Sequence, residues 1–246
     1  MILDRPKAGP ELPVIALAGN PNTGKSTLFN ALTGLKQHTG NWPGKTVLLA
    51  RGSCTHRGRQ LHLVDLPGTY SLLANSAEEE VARDFICFAR PDATIVVTDA
   101  TCLERNLNLV LQVLEITPRV VVCVNLMDEA QRKGISIDLK ALEEELGVPA
   151  VGTAAKNGTG LEELLDTVVA VATGRIVTRP RTVSYRPEVE AAARSLADHL
   201  KETISPYLEP RWVALRLLDG DQSLLQSIQR YLSPALPEQK GVITIQ

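Results

Sequence analysis

A glycine-rich stretch near the start of the chain has the residue types and spacing of a phosphate-binding loop. Residues 19–26 read GNPNTGKS and match G-x-x-x-x-G-K-[ST]. An apolar run precedes the loop and a helical pattern follows it, so backbone N–H groups at a helix start should face phosphate oxygens. The stretch therefore predicts a site for a nucleoside triphosphate. The phosphate-binding residues predicted here are Asn22, Thr23, Gly24, Lys25, Ser26 and Thr27.

The motif D-x-x-G follows a predicted strand further along the chain. We expect Lys25 to reach the β and γ oxygens, and the hydroxyl of Ser26 to bind Mg²⁺. Asp65 should hold a water of that Mg²⁺, and the Gly68 amide should meet the γ-phosphate. The alternative is a turn built by an ordinary Asp and Gly. The predicted switch II segment comprises Asp65, Leu66, Pro67, Gly68 and Thr69.

A polar segment between these motifs is predicted to be a loop that orders around the γ-phosphate and Mg²⁺. Thr46 is the candidate third Mg²⁺ ligand. Trp42 reads as an exposed aromatic residue, which favours a functional surface over an ordinary loop. The predicted switch I segment comprises Gly40, Asn41, Trp42, Pro43, Gly44, Lys45 and Thr46.

Two later loops have the residues that distinguish guanine from adenine. The Asp128 carboxylate can accept from guanine N1–H and the exocyclic amine, and adenine lacks both donors. Asn125 should tie this loop to the phosphate loop, and an amide near Ala155 should meet guanine O6. The alternatives are a strand-end Asn and a helix-capping Asp. The predicted guanine-binding residues are Asn125, Met127, Asp128, Ala154, Ala155 and Lys156.

Two positions depart from the usual guanine-nucleotide-binding pattern. Leu126 stands where N-K-x-D has Lys, so the base face gains an apolar cover and affinity should be moderate. Thr69 follows Gly68 where Ras-like proteins have the Gln that positions the attacking water. Because Thr is too short to reach that water, we expect slow intrinsic hydrolysis.

The elements that must position these loops alternate between strand and helix. The predicted fold class is α/β, a doubly wound, mostly parallel sheet of the Ras-like P-loop type with a small C-terminal helical domain. Two strands joined by a short polar link should form an antiparallel hairpin at one edge. The predicted strands are 14–18, 46–51, 61–65, 94–98, 120–124 and 150–153, and the helices are 26–33, 77–88, 103–115, 139–146 and 161–173.

The alternation stops near Gly174. We predict a nucleotide-binding domain over residues 1–173, and a linker and helical domain over residues 174–246. Helices are expected at 188–204, 210–218 and 222–232, with one strand from the linker a further option.

Composition excludes several classes of protein. The net charge is −2, and neither the residues up to Gly174 nor those after it have the strong basic excess that drives nucleic-acid binding. No apolar run is long enough to span a membrane, and the first residues lack the apolar core of a signal peptide. The four cysteines have no CxxC spacing and read as buried apolar residues.

The chain contains the motifs GNPNTGKSTLFNALTG, GNWPG, DLPGTYSL, NLMDEA and RWVALRLLDGD. Together they resemble the N-terminal region of the FeoB ferrous-iron transporter family. The resemblance implies K⁺-stimulated GTP hydrolysis that drives or gates Fe²⁺ uptake, and a helical domain similar to a nucleotide-dissociation inhibitor. It also implies partners: a membrane-spanning remainder, at whose cytoplasmic face this region would lie, small Feo accessory proteins and a possible second copy. The K⁺ ligands implied are Asn22 and backbone carbonyls near Asn41 and Trp42.

No iron site is predicted, because His38, His56, His62 and His199 show no ligand spacing. Two alternative functions stay open. One is a nucleotide-state sensor with negligible turnover, suggested by Thr69. The other is an RNA-linked GTPase of the ribosome-assembly kind, which the missing basic module disfavours.

Overall fold

The computed structural model describes residues 12–35, 37–42, 45–205 and 207–232. The chain divides into two compact units, with the boundary between Tyr185 and Arg186. Residues 174–185, grouped by sequence with the second domain, lie in the first unit.

The first unit is built on a seven-stranded sheet with the order β2-β3-β4-β1-β5-β6-β7. Strands β1, β4, β5, β6 and β7 run parallel, and β2, β3 and β4 pair antiparallel. The predicted α/β class is confirmed. The strands are β1 Val14–Gly19, β2 Gln37–Asn41, β3 Leu48–His56, β4 Arg59–Asp65, β5 Ala93–Asp99, β6 Val120–Asn125 and β7 Ala150–Gly152.

Helices connect the parallel strands and cover the sheet. Every residue of β1 and β6 is buried, as expected of strands with helices on both faces. The helices of this unit are α1 Lys25–Thr33, α2 Ala77–Asp84, α3 Leu103–Ile116, α4 Met127–Arg132, α5 Leu139–Leu146 and α6 Leu161–Ala172. A π-helical turn, Phe85–Ala89, continues α2, and a 3₁₀ turn, Ala155–Asn157, precedes α6.

Three features of this unit differ from the sequence-based expectation. Strand β2 occupies residues predicted to be a loop, because its backbone pairs with β3 in the register Gln37↔Gly52 to Asn41↔Leu48. The predicted hairpin, β3–β4, is therefore one strand in from the edge. Helix α4 was not predicted, since its six residues contain a single buried side chain and show no helical periodicity.

The second unit contains three described helices, α7 Pro187–Ile204, α8 Pro210–Leu218 and α9 Gln222–Leu232. Proline occupies the first turn of α7 and of α8, where its missing N–H has no helical partner to lose. The buried side chains of Ala193, Ala214 and Leu215 form the α7–α8 contact. Nothing in the described linker forms a strand.

Candidate functional site

The glycine-rich loop follows β1 and wraps the start of α1. Asn22 and Gly24 adopt left-handed conformations, with φ of 67° and 78°. A side chain at Gly19 would place Cβ 2.6 Å from the carbonyl oxygen of Val97, and one at Gly24 would overlap the amide of Asn125. Backbone shape and close packing therefore both select the glycines of this loop.

Lys25, Ser26 and Asp65 lie together at the start of α1. Lys25 Nζ donates to Asp65 Oδ1 at 2.5 Å and to the carbonyl oxygen of Leu66 at 2.6 Å. Burial raises the pKa of the Asp65 carboxyl, and the charge of Lys25 and hydrogen bonds from Lys25 and Ser26 oppose that rise. One cation, one hydroxyl and one carboxylate thus converge, which is the donor set that Mg²⁺ and a phosphate require.

The side chain of Asn125 joins three loops. Its Nδ2 donates to the carbonyl oxygen of Thr23 at 2.9 Å. Its Oδ1 accepts from Thr153 Oγ1 at 3.0 Å and from the backbone N–H of Ala155 at 3.1 Å. The expected tie between the base loop and the phosphate loop is therefore present, and it extends to the loop after β7.

Asp128 borders a cavity of about 580 Å³. The cavity is lined in part by Met127 and Ala154 and by Asn157, whose amide makes a long contact of 3.5 Å with the Asp128 carboxylate. Arg132 lies 3.6 Å from the same carboxylate. The Asp128 side chain is 34% exposed, so its acceptor oxygens can still reach a base.

Leu126 adopts a left-handed conformation with φ of 63° and forms the cap of α4. Its Cδ2 lies 3.8 Å from the position of a Cβ on Gly24, so the apolar side chain approaches the phosphate loop. Ala155 is buried and its amide already bonds Asn125, while Lys156 is exposed beside it.

Trp42 is buried, which corrects the expectation that it is an exposed residue. Only 2% of its surface is accessible, and its ring lies 5.5 Å from that of Phe85. Its carbonyl oxygen accepts from the Lys45 N–H at 3.0 Å, and Lys45 Nζ pairs with Glu80 at 2.7 Å. The described part of switch I is therefore attached to α2 and to the turn that continues it.

The remaining predicted residues of switch I are placed as follows. Gly40 and Asn41 belong to β2, and Thr46 is exposed between β2 and β3. Pro43, Gly44 and the side chain of Asn41 lie outside the described residues.

Switch II begins at the end of β4 beside the phosphate loop. Gly68 lies against Pro21, with its Cβ position 3.5 Å from the Pro21 backbone, and the Thr69 N–H donates to the carbonyl oxygen of Gly19 at 3.2 Å. The Thr69 hydroxyl donates to the carbonyl oxygen of Ser71 at 2.6 Å. Thr69 is also buried, and its hydroxyl is bonded within its own loop.

The exposed face of the loop includes Asn22, Ser26 and Thr27, and Thr23 is buried with its hydroxyl bonded to the carbonyl oxygen of Asn20. Sequence reasoning missed Thr153 and Asn157, although their positions beside Ala154–Lys156 could have suggested them. It also missed Glu80, whose contact with Lys45 has no local sequence signal.

Among the described residues, no group of three or more His, Cys, Asp or Glu side chains is arranged to hold a metal ion. Within the same residues, none of the helices combines the length and apolar character needed to cross a bilayer.

Comparison with known families gives two matches that together span most of the chain. Residues 13–168 match the family model described as ferrous iron transport protein B. Residues 185–243 match the model described as the FeoB cytosolic helical domain.

One similar curated relative is the Fe(2+) transport protein A/Fe(2+) transporter FeoB fusion protein of Porphyromonas gingivalis. It is 40% identical over 214 residues, which are 85% of this chain and 25% of that relative. The chain thus spans about a quarter of the length of this relative.

Two similar solved structures are cytosolic domains of the T. maritima FeoB iron transporter. The GDP form II has a TM-score of 0.82 at 37% identity, covering 89% of this chain and 86% of the other. The GMPPNP form has a TM-score of 0.81 at 38% identity, covering 93% and 88%.

Proposed function

The chain belongs to the FeoB family of ferrous iron transport proteins and contains its G domain, and on that premise we propose that it binds and hydrolyses GTP. The observation that carries the proposal is the Asn125 side chain. It bonds Thr23 of the phosphate loop and Ala155 of the loop after β7. These bonds fix the distance between the phosphate-binding loop and the base-binding loops. A nucleotide has a fixed length, so its two ends can be bound together only if that distance is constant.

Guanine selection is assigned to Asp128. Its carboxylate accepts from N1–H and the exocyclic amine, and with adenine it would be left without donors in a partly buried position. The Ala155 amide already donates to Asn125, so the neighbouring amide of Lys156 is the candidate donor to guanine O6. Leu126 covers the base face, with Met127 and Ala154 along the cavity wall.

Lys25, Ser26, Asp65 and Thr46 are assigned to the phosphates and Mg²⁺. When bound, Mg²⁺ neutralises charge on the β and γ oxygens. The cluster of Lys25, Ser26 and Asp65 fits that ion, because Lys25 already balances the buried carboxylate and can turn to a phosphate. Asn22, Thr23, Gly24, Thr27 and Gly68 complete the phosphate-binding set.

K⁺ stimulation is proposed through Asn22 and the carbonyls near Asn41 and Trp42. The exposed Asn22 side chain supports this role, since it extends from the phosphate loop into solvent. A monovalent cation there would offset charge that an arginine otherwise neutralises. Backbone amides, rather than a side-chain base, would position the attacking water.

The proposal is tested by calorimetric binding with Mg²⁺ and by turnover in KCl against NaCl. Asp128→Ala should lose most of the preference for GTP over ATP, because the carboxylate is its source. Asp128→Asn should instead gain affinity for xanthosine triphosphate, whose ring carries a carbonyl where guanine has its amine. Glu129→Gln, one residue along the same helix, is the control and should keep guanine preference. Retained GTP preference in Asp128→Ala would refute the base assignment.

A second candidate function is a nucleotide-state sensor with negligible turnover. The Thr69 hydroxyl supports it, since that group donates to Ser71 rather than facing the phosphate loop. Phosphate release at the spontaneous rate in both salts, with GTP binding intact, would favour the sensor over the enzyme.

The activity of a longer protein is proposed from the family alone. GTP turnover or binding here would drive or gate Fe²⁺ uptake through a membrane-spanning remainder, with this region at the cytoplasmic face. Small Feo accessory proteins and a second copy of the chain are further proposed partners, and no nucleic acid is proposed.

A further inference from the structure

A short segment after α6 is bonded to the end of α5. Residues 176–181, here called the strap, lie in the first unit shortly before the division at Tyr185. The Arg179 N–H donates to the carbonyl oxygen of Gly147 at 2.9 Å, and the Arg181 N–H donates to that of Leu146 at 3.0 Å. These bonds use the last carbonyls of α5, which would otherwise lack helical partners.

Side chains add to these backbone bonds. The Thr178 hydroxyl donates to the carbonyl oxygen of Pro118 at 2.5 Å, and the Arg181 guanidinium lies 2.6 Å from the Glu145 carboxylate. Near the start of the strap, the Ile176 N–H donates to the carbonyl oxygen of Ala170 at 3.0 Å. The strap is therefore held along its length.

Gly147 is the residue that allows the strap to approach. It ends α5 with φ of 71°, and a Cβ on it would overlap the carbonyl oxygen of Arg179 and lie 3.2 Å from Cα of Pro180. Both atoms are backbone, so no rotation of a flexible side chain could relieve the overlap. A methyl group at this position must displace the strap.

The α5–β7 segment that holds the strap also borders the base cavity. Residues 134–137 lead into α5 and line that cavity. At the end of β7, the Cβ position of Gly152 lies 3.1 Å from Leu139 and 3.3 Å from Met127, the neighbour of Asp128. Within the segment, the Ala150 N–H donates to the Glu143 carboxylate at 2.9 Å, so α5 and β7 are tied together.

We propose that the docked strap positions the guanine-binding loops, with Gly147 as the positioning residue. The inference rests on the proposed function, since it assumes that Asp128 meets guanine. Release of the strap frees the α5–β7 segment, and the loops beside Met127 and Ala154 then hold the base less firmly.

The test compares Gly147→Ala with Gly174→Ala. Gly174 also follows a helix, has φ of 73°, and has nothing within 4 Å of its Cβ position, so it matches the backbone strain without the overlap. We measure dissociation of a fluorescent methylanthraniloyl-GDP and the affinities for GDP and inosine diphosphate. Inosine diphosphate lacks the exocyclic amine, so the affinity ratio reports the alignment of Asp128.

Gly147→Ala should speed GDP dissociation by about 3- to 10-fold, which lies within the range for changes that act through neighbouring packing. It should also lower the ratio of GDP to inosine diphosphate affinity, which a general loss of stability would not alter. The Gly174→Ala variant should keep both wild-type values. Equal values in the two variants would overturn the inference.

A second variant covers the case in which Gly147→Ala does not fold. Thr178→Val combined with Arg181→Gln removes the side-chain bonds of the strap without a steric overlap. Hydrogen exchange at the Arg179 amide should become faster, and the affinity ratio should fall with it. Faster exchange with an unchanged ratio would also overturn the inference. Failure of the wild type to bind GDP would instead refute the proposed function.

Discussion

Asn125 and Thr23 are 102 residues apart in the sequence, yet the side-chain amide of one bonds the backbone carbonyl of the other at 2.9 Å. The same Asn125 side chain accepts from Thr153 and Ala155. A single buried residue thus fixes the relative positions of three loops. Removing this side chain should lower the free energy of unfolding strongly, because each of its partners would remain buried without a hydrogen bond.

Asn125→Ala should therefore lower the free energy of unfolding by about 3 kcal/mol and reduce GDP affinity at the same time. Urea denaturation and calorimetric titration measure the two effects. Thr153→Val is the matched control. It removes one of the three bonds of Asn125, together with the weak contact between the Thr153 hydroxyl and the Cys123 thiol, and should cost only about 1 kcal/mol. Equal losses in the two variants would show that Asn125 does not join the loops as described.

Lys25→Met should leave the buried carboxylate of Asp65 without its cation. Burial already raises the pKa of Asp65, and loss of the Lys25 charge removes the strongest opposing effect. The variant should be less stable than the wild type at pH 7, and the difference should shrink as pH falls and Asp65 becomes protonated. Urea denaturation at pH 7 and at pH 4.5 measures this difference. A gap that widens in acid would contradict the assignment.

Thr69→Val should leave the rate of GTP turnover within about twofold of the wild type, well under 1 kcal/mol in barrier height. The Thr69 hydroxyl bonds the carbonyl oxygen of Ser71, so we expect another group to position the attacking water. Phosphate release under single-turnover conditions measures the chemical step. A drop of a hundredfold would identify Thr69 as a catalytic residue and refute the backbone-amide hypothesis.

Alkylation of Cys54 should keep accelerating in alkaline solution. Burial raises the pKa of the Cys54 thiol to about 11, so its thiolate fraction rises about tenfold per pH unit up to that value. An ordinary thiol with a pKa of 9.0 would reach a plateau well before then. Mass spectrometry after iodoacetamide treatment from pH 8 to pH 10 gives the rate. Cys123, fully buried with a pKa of about 12, should stay unlabelled until the protein unfolds.

The sheet was largely predictable from sequence because its central strands are continuous apolar runs with helices on both faces. Strand β2 was not, since Gly40 and its polar neighbours have low strand propensity and are held by pairing with β3. Trp42 was misjudged for a similar reason: polar residues surround it in the chain, whereas Phe85 covers it in space.

In the candidate site, too, some residues could be predicted from the sequence and others could not. Motif spacing predicted Lys25, Asp65 and Asn125, because their roles follow from side-chain chemistry at fixed distances. The structure contains the hydrogen bond between Lys25 and Asp65, and the bond from the Asn125 amide to the carbonyl oxygen of Thr23. The strap was not predicted, because its main hydrogen bonds join backbone groups. Nearly every residue type has the same backbone donor and acceptor, so such bonds leave no signal in the sequence.

The central position of β1 in the sheet has a consequence for synthesis of the chain. Strand β1, which precedes the phosphate loop, is synthesised before its neighbour β5. The Val14 N–H donates to the Asp92 carboxylate, 78 residues further along the chain, so this bond can form only after Asp92 has been synthesised. Asn125 and Ala155 follow later still. The proposed nucleotide site can therefore form only after these later segments of the chain have been synthesised.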